Sequence, residues 1–146
     1  MELRTDKTFT EKEALQLSPL QLAYIGDTVW ELMVRQRLVF MKLNVHHMHS
    51  ICVDSVNAHA QSEALELIAG ALTEKENEIV RRGRNAHTRH PVPRNQDPGD
   101  YGSATGFEAL LGFLYVTGND QRIIEICRKI ESEGKNNYAG AKTSEG

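Results

Sequence analysis

Two carboxylates stand in surroundings that otherwise suit a hydrophobic core: Asp27 in "AYIGDTVWEL" and Glu108 in "ATGFEALLGFLY". Gly26 directly precedes the first, and Gly106 lies two positions before the second. A glycine inside a helix costs about 1 kcal/mol relative to alanine. It belongs where another backbone must come close, or where a carboxylate needs room. An unpaired buried carboxylate is costlier still, and must find a cation, a donor or a route to water. Two such groups meeting from two helices form a hard oxygen site suited to Mg²⁺. That ion can activate water and stabilise charge on a phosphodiester. The plainer reading is local pairing: Glu31 lies four residues after Asp27 and four before Arg35, ordinary spacing on a helix face.

A second constellation is basic. From Ile79 to Gln96 the chain reads "IVRRGRNAHTRHPVPRNQ", without one acidic residue. Arg81, Arg82, Arg84, Arg89 and Arg94 stand there with His87 and His90, five of the seventeen Lys and Arg residues. The whole chain carries a net charge of −3, so the case for a phosphate partner is local to this stretch. Arginine forks in a positive field suit phosphate backbones. Only Tyr101 is a nearby aromatic, which favours a duplex over stacked single strands. A solvated charge run is the plainer alternative.

Other candidates carry less. In "HHMH" only His46 and His49 have helical ligand spacing, and no third ligand is close in sequence. Ser18, Ser50 and Ser103 lack a nucleophile-elbow context, and no Gly-x-Gly-x-x-Gly run occurs. Cys52 and Cys127 have no CxxC spacing and read as reduced, half-buried residues.

The elements that must position these groups read as helices. Ser18-Pro19-Leu20-Gln21 is a helix start with a capping box, and apolar residues recur at Leu22, Ile25, Val29, Leu32 and Met33 on to Val39. Further helices are expected over His46–Val56, over Ala58–Ala69 with Gly70 ending it, and from Thr73 to near Arg84. Residues 85–100 hold three of the four prolines and read as a loop. Helix resumes around Gly102–Thr117 and again over Asp120–Glu131. The expectation is an all-α bundle of about six or seven helices: a polar segment 1–14, one domain over 15–132, and a polar tail 133–146. No window approaches eighteen consecutive apolar residues and the start lacks an apolar leader, so a cytoplasmic protein without a membrane partner is expected.

"YIGDTVWE" resembles the signature helix of the ribonuclease III catalytic domain, built on a Leu-Gly-Asp step, and "TGFEALLGFLY" resembles the family's second acidic motif. With "VNAHAQSEAL" between them, "RRGRNAH", "PRN" and no double-stranded-RNA-binding domain following, the chain is similar to the small bacterial branch called Mini-ribonuclease III. The resemblance spans roughly residues 15–132 and implies the ribonuclease III helical fold. It places Asp27 and Glu108 as catalytic, Mg²⁺-binding residues. It implies a homodimeric endonuclease that cuts double-stranded RNA to 5′-phosphate ends, with precursor 23S ribosomal RNA as substrate and a ribosomal protein as a possible helper. Arg81, Arg82, Arg84, Asn85, His87, Arg89 and Arg94 would then contact the duplex. Ala23 and Thr105 stand where larger relatives carry two further acids, which leaves the number of metal ions open. The alternative is a non-catalytic double-stranded-RNA-binding dimer.

Overall fold

Side-chain caps set the helix starts. At α2 (Pro19–Phe40) the Ser18 hydroxyl accepts from the Gln21 N–H at 3.2 Å, and the Gln21 side chain accepts from the Ser18 N–H at 2.9 Å. The same reciprocal box opens α5 (Glu74–Asn85) through Thr73 and Glu76. Asn44 and Asn57 cap α3 (Val45–Val56) and α4 (Ala58–Ile68) through their amide oxygens. A short 3₁₀ turn over Ala69–Ala71 follows, so α4 ends one residue before the expected Ala69.

A computed structural model describes residue 4, residues 7–86 and residues 92–134. Among the described residues the chain forms seven α-helices and no strand. The first, α1 (Glu11–Leu15), lies within the polar N-terminal stretch. It is held by a Thr10–Glu13 capping box and by Ala14, which is fully buried. The loop expected to last to residue 100 ends sooner. Asp97 accepts from the Asp100 N–H at 2.9 Å, Pro98 takes the first helical position, and α6 runs over Pro98–Val116. The chain closes on α7 (Asp120–Glu133). The basic run is only partly a loop, because Arg81, Arg82, Arg84 and Asn85 belong to α5. His87, Arg89 and His90 lie outside the described residues.

The bundle is built around α6, which packs most extensively on α2, then α5, then α4. From Ala104 to Leu114 every residue of α6 except Glu108 is buried, the mark of a helix surrounded by others. Trp30 of α2 meets the ring of Phe107 edge-on, with centroids 5.1 Å apart. Between α5 and α7, Arg122 grips the buried Glu76 carboxylate with two bonds of 2.8 Å. Burial pushes Glu76 up, but the hydrogen bonds and charge of Arg122, with the Thr73 cap, outweigh it and hold the carboxyl below its ordinary range. No helix among the described residues is long and apolar enough to cross a membrane.

Backbones meet directly where α2 crosses α6. A Cβ on Gly26 would lie 1.7 Å from the Glu108 carbonyl oxygen, and one on Gly112 would lie 1.9 Å from that of Leu22. Neither position accepts a side chain unless the helices part. On the other flank of α6, a Cβ on Gly83 would fall 2.6 Å from the Gly106 Cα. Gly26→Ala is therefore expected to destabilise the fold by about 3 kcal/mol, the upper part of the usual overpacking range. That is a fall of about 10 °C in melting temperature, read by circular dichroism. An unchanged melting temperature would mean that the helices do not meet at this glycine.

Candidate active site

Asp27 and Glu108 are brought together by that crossing. Gly26 lies against the Glu108 backbone, so the next side chain on α2, Asp27, stands beside the Glu108 carboxyl. The two are close enough to hydrogen-bond. Asp27 is exposed and Glu108 half-buried, so the pair opens to solvent from the α2 side and closes toward the core. On the inner side, Gln61 of α4 donates from Nε2 to Glu108 Oε2 at 3.3 Å. Burial pushes Glu108 up to about 8, with the hydrogen bond and charge of Asp27 adding to it and Gln61 opposing. Two carboxylates are thus held where both cannot comfortably be charged without a cation.

The neighbouring positions bring no further acid. Ala23 is buried, and Thr105 is buried with its hydroxyl donating to the Tyr101 carbonyl at 2.9 Å. Glu31 pairs with Arg35 at 3.5 Å on the surface of α2. Among the described residues, no group of three or more His, Cys, Asp and Glu gathers as a metal site, and that includes the His46–His49 run. The donor set that remains, two hard carboxylates beside a neutral amide, suits a magnesium ion that keeps most of its own water ligands. A cleft of about 670 Å³, lined by Trp30, Met33, Leu67 and Cys127, does not include the acid pair. The pair lies outside that cleft, with Asp27 exposed on the surface of α2.

The end of α5 lies next to the stretch of α6 that leads into Glu108. Gly83 packs on Gly106, and the Arg84 Cγ is 3.4 Å from where a Cβ on Gly106 would sit. Arg84 and Arg94 are exposed, Arg82 is half-buried, and Arg81 is tied to Glu78 through its Nε at 2.9 Å. The arginine-bearing end of α5 and the acid pair therefore both lie against α6. His59 adds a second link between α4 and α6, with Nδ1 at 2.9 Å from Asp100 Oδ2 and Nε2 at 3.0 Å from Glu63. The hydrogen bond to Asp100 first, then the charges of Glu63 and Asp100, raise His59 above its ordinary range.

Of these groups, sequence reasoning missed Gln61. Its signal was position: it precedes Leu65 by four residues and Ile68 by seven, on the core-facing stripe of α4, where it and Ser62 are the buried polar residues.

The family model of the ribonuclease III domain matches residues 20–119. The Mini-ribonuclease 3 of Symbiobacterium thermophilum is 44% identical over 115 residues, covering 77% of this chain and 86% of its own. That of a Synechococcus species is 45% identical over 114 residues, with coverage of 78% and 81%. A crystal structure of a protein from Fusobacterium nucleatum has a similar fold, with a TM-score of 0.72 at 28% identity over 80% of this chain and 93% of that one.

The strained acid pair has a pH signature in the cation-free protein. Glu108 binds its proton more tightly folded than unfolded, so its contribution to stability is fully present below 4.5 and is lost as pH rises through about 8. Urea melts in EDTA are expected to show stability falling across that window, and Glu108→Gln is expected to remove the slope. A slope that survives in the variant would place its origin elsewhere.

Proposed function

The chain belongs to the ribonuclease III family, in its Mini-ribonuclease III branch; on that premise we propose that this endoribonuclease of double-stranded RNA works through Asp27 and Glu108, with Mg²⁺ as the ion they hold. The observation that carries the proposal is the convergence of the two carboxyls at the α2–α6 crossing, with Glu108 pushed up to about 8 by burial and by its neighbour. A bound magnesium ion would supply charge neutralisation at the phosphodiester and a more acidic water. The chain's own residues do the rest. Asp27 presents its carboxylate to solvent, where the substrate arrives. Glu108, half-buried, stands between Asp27 and Gln61.

The duplex is held by the basic segment. Arg81, Arg82, Arg84 and Asn85 on α5, and Arg94 beyond it, with His87 and Arg89 of the intervening stretch, would meet phosphates and 2′-hydroxyls of an A-form helix rather than base edges. The catalytic unit proposed is residues 15–132, between a polar N-terminal segment 1–14 and a polar tail 133–146, although α7 carries the helix one residue further, to Glu133.

The outer face of α2 supports a homodimer. Tyr24 is 85% exposed, and Leu32 and Val39 continue an exposed apolar stripe at steps of eight and seven residues. A two-fold axis near Leu32 would set Tyr24 of one protomer against Val39 and Phe40 of its partner, making the surface self-complementary. Two sites would then face the two strands of one duplex. The substrate proposed is precursor 23S ribosomal RNA in the cytoplasm, with a ribosomal protein as a possible presenting partner.

Cleavage of a labelled RNA duplex in Mg²⁺, and binding of the same duplex in EDTA, separate the roles. Asp27→Asn is expected to abolish cutting and leave binding intact. Arg84→Ala with Arg94→Ala is expected to weaken binding to all duplex sequences and to reduce its salt slope by about 1 for each phosphate that is no longer neutralised. Binding without cutting by the unaltered protein would instead favour a non-catalytic RNA-binding dimer.

A further inference from the structure

Gln61 is only 2% exposed, although a glutamine in a core gives up both hydration and rotamer freedom. Leucine or methionine would fill the same place on the stripe with Leu65 and Ile68 at lower cost. The compensation visible for the buried amide is its bond from Nε2 to Glu108 Oε2 at 3.3 Å. Resting on the endonuclease reading above, we propose that Gln61 is a positioning residue: its amide ties the Glu108 carboxylate to α4 and keeps it turned toward Asp27.

Three observations support this. Gln61 Nε2 donates to Glu108 Oε2 at 3.3 Å, and the neighbouring Ala23 has no polar group to offer. With a cation between the two carboxyls Glu108 would be ionised and could only accept, so the amide presents its NH₂ face to it. The base of the tie is rigid, because α4 packs on α6 beside buried Ala64, Leu65 and Ile68. With one oxygen held, the carboxylate cannot rotate freely away from Asp27. A pre-set pair spares the ordering that a bound cation or substrate would otherwise have to impose.

The test uses the full chain, Gln61→Met and Gln61→Leu, two donor-free side chains of different shape so that at least one packs. Turnover on a labelled RNA duplex, duplex affinity in EDTA, Mg²⁺ affinity by calorimetry and melting temperature are measured for each. The expected result in a variant that melts near the wild type is a kcat lower by about 10–100-fold and weaker Mg²⁺ binding by a similar factor, with KM and duplex affinity unchanged. Wild-type kcat and Mg²⁺ affinity in a folded variant would overturn the inference. So would a loss of melting temperature and duplex affinity with kcat preserved, which would make Gln61 a packing residue. If the unaltered protein does not cut, or cuts equally well as Asp27→Asn, the endonuclease reading itself fails and takes the inference with it.

Discussion

The direct approach of two helix backbones at Gly26 and Gly112 is the constraint on which the rest depends. Side chains normally keep packed helices 8–10 Å apart at their axes, but here carbonyl oxygens of one helix occupy the space that a Cβ of the other would need. That closeness does two things at once. It lets α6 be enclosed by α2, α4 and α5, so that a nineteen-residue helix of largely apolar character is covered. It also fixes the residue after Gly26 beside the backbone of Glu108, placing a second carboxyl on an otherwise covered helix.

The electrostatics follow from that geometry. A lone Glu108 at this depth would simply be costly, and an exposed Asp27 alone would be unremarkable. Together they make a site whose anionic form is held in check by burial and repulsion, and for which a hard cation is the natural complement. Gln61 relieves part of the strain without adding charge, whereas a third carboxylate in its place would deepen it. The Gly83–Gly106 contact repeats the backbone approach on the other side of α6 and carries the arginine-bearing end of α5 to the same stretch. The acid pair and the end of α5 therefore both lie against α6.

What could be read from the chain reflects where the information is local. Capping boxes at Ser18 and Thr73 and the 3.6-residue period of α2 depend on neighbours in sequence, and those elements form as expected. Thr10 with Glu13 is an equally local signal, masked by the polarity of its surroundings. Pro98 reads as loop because it follows other turn formers, although proline is well suited to the first position of a helix. Asp27 and Glu108 stand out as charges in apolar runs. Gln61 does not, because an uncharged polar residue on a core stripe is a weak anomaly and its partner is forty-seven positions away. Gly26 announces a close approach, but only the folded chain identifies Gly112 and Glu108 as what approaches.

The central claim is that Asp27 and Glu108 form one cation site. Crystals soaked in Mn²⁺ and measured at its absorption edge test it most directly, since anomalous scattering locates the metal without reference to activity. The account predicts a peak between the two carboxyls, lost in crystals of Asp27→Asn. A peak bound elsewhere, or one that persists unchanged in that variant, would contradict it.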